Sequence, residues 1–232
     1  MATNTRLVWD APLRAFHWFL AASLVALYVT AKGPIGWMQL HFWLGYWTLG
    51  LLIFRVIWGF VGPKHARFIE FFPTPGVFVR YLKGLFKRDS AHAVGHNPVG
   101  ALAVFAILIL VGFQAVTGLF ASDDIIWDGP YKAAVSNATS RSLTSIHKST
   151  SINLLIALVV IHIAAVAYYW FYKRQNLVRP MITGRKPAEL VPESEAIAGS
   201  AWIRAMIAIL VSGAAIWAML ALAPPPAMLD YY

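Results

Sequence analysis

The chain of 232 residues contains no cysteine, which excludes disulfides, thiolate metal sites, iron–sulfur clusters and thioether-linked haem. Any metal must rest on histidine, methionine or carboxylate. Charge is scarce too: Asp, Glu, Lys and Arg together make up 12% of residues, about half the share of an average soluble domain. With 59% of residues hydrophobic, lipid is the solvent this composition fits. Acidic residues are the rarer charges, 10 against 19 Lys and Arg, and the resulting +9 invites a nucleic-acid reading. The basic residues cluster in loops on one side of apolar runs, however, so topology explains them and no nucleic-acid partner is expected. Internal repeats and low-complexity tracts are also missing.

What the chain does have is five apolar runs, near 12–31, 38–61, 98–121, 149–171 and 201–222. Each is long enough to cross the hydrocarbon core as a helix. The fold class expected is therefore all-α integral membrane. Trp9, Trp37, Trp58, Trp127, Trp170 and Tyr172 stand at run ends, where aromatic rings favour the membrane interface. The first run is followed by no convincing small-residue cleavage site and is read as a retained span.

Arg6 and Arg14 flank the start of the first run. Lys64, Arg67, Arg80, Lys83, Lys87 and Arg88 lie between the second and third, and Lys173, Arg174, Arg179, Arg185 and Lys186 follow the fourth. The positive-inside rule makes these segments cytoplasmic. The opposite side carries Lys32 and the loop 121–146, where Asp123, Asp124 and Asp128 face Lys132 and Arg141. A multi-pass protein of the bacterial cytoplasmic (inner) membrane follows, with a cytoplasmic N-terminus and a periplasmic C-terminus carrying Pro224, Pro225 and Pro226. Asp10 before Pro12, and Asn97 before Pro98, are expected helix caps. The stretch 71–82 reads as a short interfacial helix with basic residues at the headgroups. The polar segment 184–199 reads as a linker. The organisation expected is a core domain over 1–182, a cytoplasmic linker over 183–200, an extra transmembrane helix over 201–223 and a periplasmic tail over 224–232.

Four of the seven histidines, His17, His41, His147 and His162, lie in or at the ends of these spans. Ionisable side chains inside a membrane are functional candidates by default. In this topology His17 and His162 lie toward the cytoplasm, and His41 and His147 toward the periplasm, so the four form two pairs at two depths. The fifteen-residue step from His147 to His162 spans roughly 22 Å of helix and about 60° of rotation. Two stacked haems suit that spacing, and bis-histidine ligation, which leaves no open iron position, favours electron transfer over oxygen chemistry. Gly45 shares a face with His41, and Gly100 and Gly118 share a face of the third span, where small residues admit a porphyrin or a close helix. Gln114 and His96 fall on or near that face. Arg55, the one strong charge well inside a span, is placed either to meet a haem propionate or to snorkel to the headgroups.

These residues resemble the bacterial cytochrome b561 family, which includes the cytochrome b subunits of nickel–iron hydrogenases. The resemblance runs from about Val8 to Ile182. It is carried by Val8-Trp9-Asp10 with Phe16-His17-Trp18, His41 with Gly45-Tyr46, Phe54-Arg55 and Trp58-Gly59-Phe60-Val61-Gly62. It continues in His65-Ala66-Arg67-Phe68, Gly95-His96-Asn97-Pro98 with Gly100-Ala101, Gln114 with Thr117-Gly118, and Ile161-His162. It implies a four-helix transmembrane bundle holding two haems b, plus here a fifth C-terminal helix. His17 and His162 would ligate the cytoplasmic-side haem, and His41 and His147 the periplasmic-side haem. The step between the two histidines of span four is one residue longer than the family pattern, and a helical bulge or a non-helical His147 would absorb it.

The function so implied is electron transfer between the quinone pool, ubiquinone or menaquinone, and a periplasmic partner: a c-type cytochrome or a hydrogenase or dehydrogenase subunit. No catalytic residue is assigned beyond the cofactor sites. The outer aspartates would form the docking surface. A second reading is a superoxide oxidase reducing ubiquinone, for which Lys132, Arg141 and Lys148 would supply a cationic funnel. A third is a haem-free transporter using the histidines as a proton relay. For His96 the alternatives are a propionate or quinone contact and a plain helix-start residue. His65 and His92 are expected in solvent, with His65 open to a quinone or propionate contact. Oligomerisation is compatible with all three readings.

Overall fold

The computed structural model describes residues 4–87 and 92–225. Arg88, Pro226 and the rest of the tail expected over 224–232 lie outside the described residues. In chain order the elements are β1 (Thr5–Leu7), α1 (Ala11–Lys32), α2 (Met38–Val61), α3 (Phe68–Phe71), α4 (Pro75–Gly84) and α5 (Pro98–Leu119). They continue as α6 (Asn137–Ser145), α7 (Ser151–Phe171), α8 (Val178–Thr183), β2 (Arg185–Pro187) and α9 (Trp202–Ala221). Among the described residues, five helical stretches are long and apolar enough to cross a membrane, so the fold is all-α and multi-pass.

Local chemistry sets the boundaries. Asp10 Oδ1 accepts the Leu13 N–H at 2.9 Å to start α1, and Asn97 Oδ1 accepts the Gly100 N–H at 2.7 Å to start α5. Each side chain satisfies one of the donors that a helix start leaves free. The fourth span begins well before the apolar run suggested. Ser136 caps α6 by accepting the Thr139 N–H at 3.1 Å, and the polar stretch it opens stays helical up to the apolar part. Between α6 and α7, residues Ile146–Thr150 form a π-helical turn that contains His147. The bulge expected from the histidine spacing is therefore present, and the Ser151 hydroxyl lies 2.9 Å from Ile146 O across it.

The described chain divides into two compact units that most spans contribute to in turn. The first comprises Met1–Phe19, Phe54–Ile107 and Leu158–Ile209. Its core centres on Trp58, which is 0% exposed, donates from Nε1 to Asp10 Oδ1 at 3.0 Å and stacks on Phe54. Trp9 and Trp58 are thus core residues and not interfacial belts, because Asp10 and the neighbouring rings offer them partners inside the fold. Trp37, Trp170 and Tyr172 are exposed, as an interfacial role requires.

The segment read as a polar linker carries structure of its own. β2 pairs antiparallel with β1, Arg6 opposite Lys186. The Arg6 guanidinium donates to Ala188 O and Val191 O, and Val191 is fully buried. Gly184 O accepts from the N–H groups of both Val8 and Trp9. Gly184 itself sits at φ +79°, where a Cβ would stand 2.6 Å from Trp9 O, so only glycine ends α8 here without strain. Glu195 pairs with Lys64 at 2.9 Å, and Lys186 donates to Ala93 O and Val94 O. Sequence reading missed this docking because its contacts are backbone carbonyls and single charges, which leave no hydrophobic period.

The second unit comprises Leu20–Ile53, Leu108–Ala157 and Leu210–Tyr232. Trp47 Nε1 donates to Ser23 Oγ at 3.1 Å between α2 and α1, and the Tyr131 hydroxyl donates to Met219 O at 2.7 Å, tying the 121–136 loop to α9. In that loop the Asp123 carboxylate accepts the N–H groups of Ile125, Ile126 and Trp127. One of the three aspartates expected to form an acidic docking surface is therefore occupied in shaping its own loop.

Candidate functional site

In the second unit, α2 and the π-helical turn bring the rings of His41 and His147 edge-on to one another. Their ring centres are 6.2 Å apart and their planes perpendicular. The His41 Nδ1–H donates to Leu27 O at 3.1 Å, with the Thr30 hydroxyl at 3.2 Å. The His147 Nδ1–H donates to Gln114 O at 2.9 Å, with the Thr117 hydroxyl at 3.3 Å. A carbonyl on Nδ1 fixes the tautomer and leaves the Nε2 lone pair as the ligand. Two imidazole nitrogens each about 2.0 Å from one metal ion put the ring centres about 6 Å apart. The observed spacing fits a metal held between them.

Gln114 is the hub of this site. Its side-chain nitrogen donates to His147 O at 3.0 Å and lies 3.4 Å from His147 Nε2, and its oxygen accepts the Ser151 hydroxyl. The π turn is thereby held from α5. Gly118 is the residue that lets the imidazole in, since a Cβ there would lie 2.8 Å from His147 Cε1. A Cβ on Gly45 would meet nothing within 4 Å, so one turn beyond His41 there is open space beside α2.

In the first unit, His17 of α1 and His162 of α7 are near enough to interact electrostatically. His17 Nδ1 is buried without a protein partner, unlike Nδ1 of His41 and of His147. In the same unit Arg55 is 1% exposed, with its guanidinium 4.5 Å above the Phe68 ring, and both terminal nitrogens lack hydrogen-bond partners. Arg55 therefore does not snorkel. A buried guanidinium without a bonded acceptor is costly, so this position suits an added carboxylate. His96 packs edge-on to Trp9 and at a tilt against Phe71, with Nδ1 buried and unpartnered. Burial, followed by the charges of Arg55, His65 and Lys186, holds His96 down to about 3, so it is neutral at physiological pH. Burial also pushes the Lys186 ammonium down to about 8. Gly100 lies in the capping turn, where Asn97 Oδ1 is the nearest atom to a would-be Cβ, and no other site residue meets it there. His65, expected in solvent, is buried, and its Nε2 lies 2.8 Å from Glu195 O.

Among the described residues no group of three or more His, Cys, Asp or Glu side chains converges on a point. Histidines in twos suit a metal whose remaining ligands come from a macrocycle. The model of prokaryotic cytochrome b561 matches residues 8–184. The chain belongs to the prokaryotic cytochrome b561 family. As such it is a membrane b-type cytochrome, and its chemistry is electron transfer by haem b. A probable Ni/Fe-hydrogenase B-type cytochrome subunit of Azotobacter chroococcum mcd 1 is 28% identical over 210 residues, 76% of this chain and 86% of that one. The corresponding proteins of Azotobacter vinelandii and Escherichia coli (strain K12) are 33% and 30% identical over 138 residues, 48% of this chain and 57% of theirs. No solved structure matches the chain.

Sequence reading of this cytochrome b561 chain singled out the four histidines because ionisable side chains stand out in an apolar background. It missed Thr30 and Ser151 as supports, since hydroxyls in a membrane helix usually bond their own backbone. It also gave Lys186 to the charge count alone.

Proposed function

We propose that this chain is the membrane subunit that carries electrons between the quinone pool, ubiquinone or menaquinone, and a periplasmic redox enzyme of the hydrogenase class. It would do so through two haems b, with its N-terminus in the cytoplasm. His41 and His147 would hold one haem and His17 and His162 the other. The observation that carries the reading is the His41–His147 pair, its ring centres 6.2 Å apart and both Nδ1 atoms engaged by carbonyls. The relatives named as hydrogenase cytochrome subunits support the choice of partner. Bound haem would supply reversible one-electron chemistry at iron.

The chain's own residues would set orientation, charge and access. Leu27 O and Gln114 O keep the outer imidazoles in the ligating tautomer. Gly118 admits the His147 imidazole and Gly45 leaves open space that would suit a flat ring system, with Gln114 bracing the turn that presents His147. Arg55 would bind a propionate of the inner haem, with His96 offering a neutral hydrogen-bonding partner. A cation at that point favours the reduced haem, whose net charge is more negative. Gly100 would act through the Asn97 cap of α5 and not by direct contact.

The test is spectral. Purified full-length protein should show a b-type alpha band on reduction with a short-chain quinol, and the same band should appear with hydrogen when the co-expressed hydrogenase is present. A haem-loaded protein that neither donor reduces would overturn the quinone and hydrogenase assignments while leaving the cytochrome itself intact.

A further inference from the structure

We propose that α4 is a docking face for acidic phospholipid. Its apolar stripe would enter the acyl layer, and Arg80 and Lys83 would hold the headgroup phosphates. The depth of α4 is set by its attachments to the end of α7. Near the C-terminal end of α4, the Tyr168 hydroxyl donates to Leu85 O and the Tyr172 hydroxyl to Phe86 O, while Lys173 Nζ donates to Lys87 O and the Tyr81 hydroxyl meets that of Tyr169. The run Tyr168-Tyr169-Trp170-Phe171-Tyr172 before Lys173 is the aromatic end of a span, the composition that marks the headgroup level. A helix fastened to it lies at that level.

The faces of α4 divide as such a position requires. At 100° per residue Tyr81 points toward its α7 partner, whereas Val79, Leu82 and, just past the helix, Phe86 fall together on another face. All three are exposed. Arg80 and Lys83, three residues apart, are exposed on the flank between these faces, and among the described residues neither is in an ion pair. An apolar stripe edged by unpaired cations is the arrangement of a helix lying in the plane of a charged membrane. Its cations match phosphate and its stripe matches acyl chains, so a lipid satisfies both faces at once. The carbonyls near its C-terminal end are already capped by α7, so they do not repel the phosphates.

Full-length protein in nanodiscs tests this by hydrogen exchange of residues 75–87. Discs of phosphatidylcholine alone are compared with discs containing about one third phosphatidylglycerol. Protection should be greater in the acidic discs, and R80Q/K83Q should remove the difference and weaken retention of phosphatidylglycerol roughly tenfold. V79S/L82S should lose protection in both kinds of disc. An unchanged haem spectrum in each variant shows that the protein is folded. Equal protection of the wild type in both discs, or a difference that survives R80Q/K83Q, overturns the proposal. Protection produced in phosphatidylcholine discs by added inorganic phosphate also overturns it, since the site would then bind an ion and not a lipid surface.

Discussion

Gly118→Ala should weaken haem binding at the proposed His41–His147 site while sparing the fold. The added methyl would stand 2.8 Å from His147 Cε1 and 3.2 Å from Nδ1, where ordinary carbon contacts are about 3.5–4.0 Å. The imidazole must therefore retreat by roughly half an ångström or more. Its Nδ1 bond to Gln114 O, now 2.9 Å, then stretches toward the limit of a hydrogen bond. Overpacking of this kind costs about 1–3 kcal/mol. Because the strain falls on His147, a proposed ligand, it should appear as roughly tenfold or greater weakening of the haem bound there, each 1.4 kcal/mol being about a factor of ten. The assay is haem per polypeptide by the pyridine haemochrome method, with a reduced-minus-oxidised spectrum. The control is Gly112→Ala on the same helix, where the nearest atom to a new Cβ is Leu52 Cδ1 at 3.9 Å, an ordinary contact. The control should keep the wild-type haem content. If Gly118→Ala keeps the full content and an unshifted spectrum, the steric argument for His147 as a ligand is wrong.

Further outcomes follow from other residues. Arg55→Leu should lower the midpoint potential of one haem by on the order of 50 mV and leave the other in place, as read by redox titration; an unmoved potential would remove Arg55 from the propionate site. Trp58→Phe removes one of the two N–H donors to the buried Asp10 carboxylate and should cost about 1–3 kcal/mol in thermal stability, whereas a loss near zero would mean that water replaces the indole N–H. The folded protein keeps His96 neutral down to about 3 while the unfolded chain takes up a proton near 6.5. The unfolded state therefore binds more protons in that window. His96 should lower stability as pH falls from 6.5 toward 3, by at most about 1.4 kcal/mol per pH unit, and contribute no slope above 6.5. His96→Leu should flatten that part of the profile, and an identical slope in the variant would exclude His96 as its source.

Much of the fold was legible because membrane spans announce themselves through long apolar runs, and Asp10 and Asn97 announced two helix starts. The histidine spacing even foretold the π-helical turn, since one extra residue between two inward-facing positions must be stored somewhere. The aromatic belts were only half legible. Trp58 looks like an interface residue from its place in the run, yet the carboxylate of Asp10, 48 positions away, draws it inside. The docking of residues 184–200 was hidden for the same reason: Arg6, Glu195 and Lys186 act singly on distant carbonyls and charges, and such contacts have no period. At the candidate site, the histidines were legible as candidates from their place in apolar runs, whereas the residues that shape space around them, above all Gly118, emerge only from distances.

Haem-to-protein stoichiometry of the purified full-length chain and its ligand variants bears most directly on the paired-histidine arrangement. Two haems b per wild-type polypeptide are expected, with one retained in His162→Ala and one in His41→Ala. A folded wild-type preparation without porphyrin, or ligand variants that keep both haems, would contradict it.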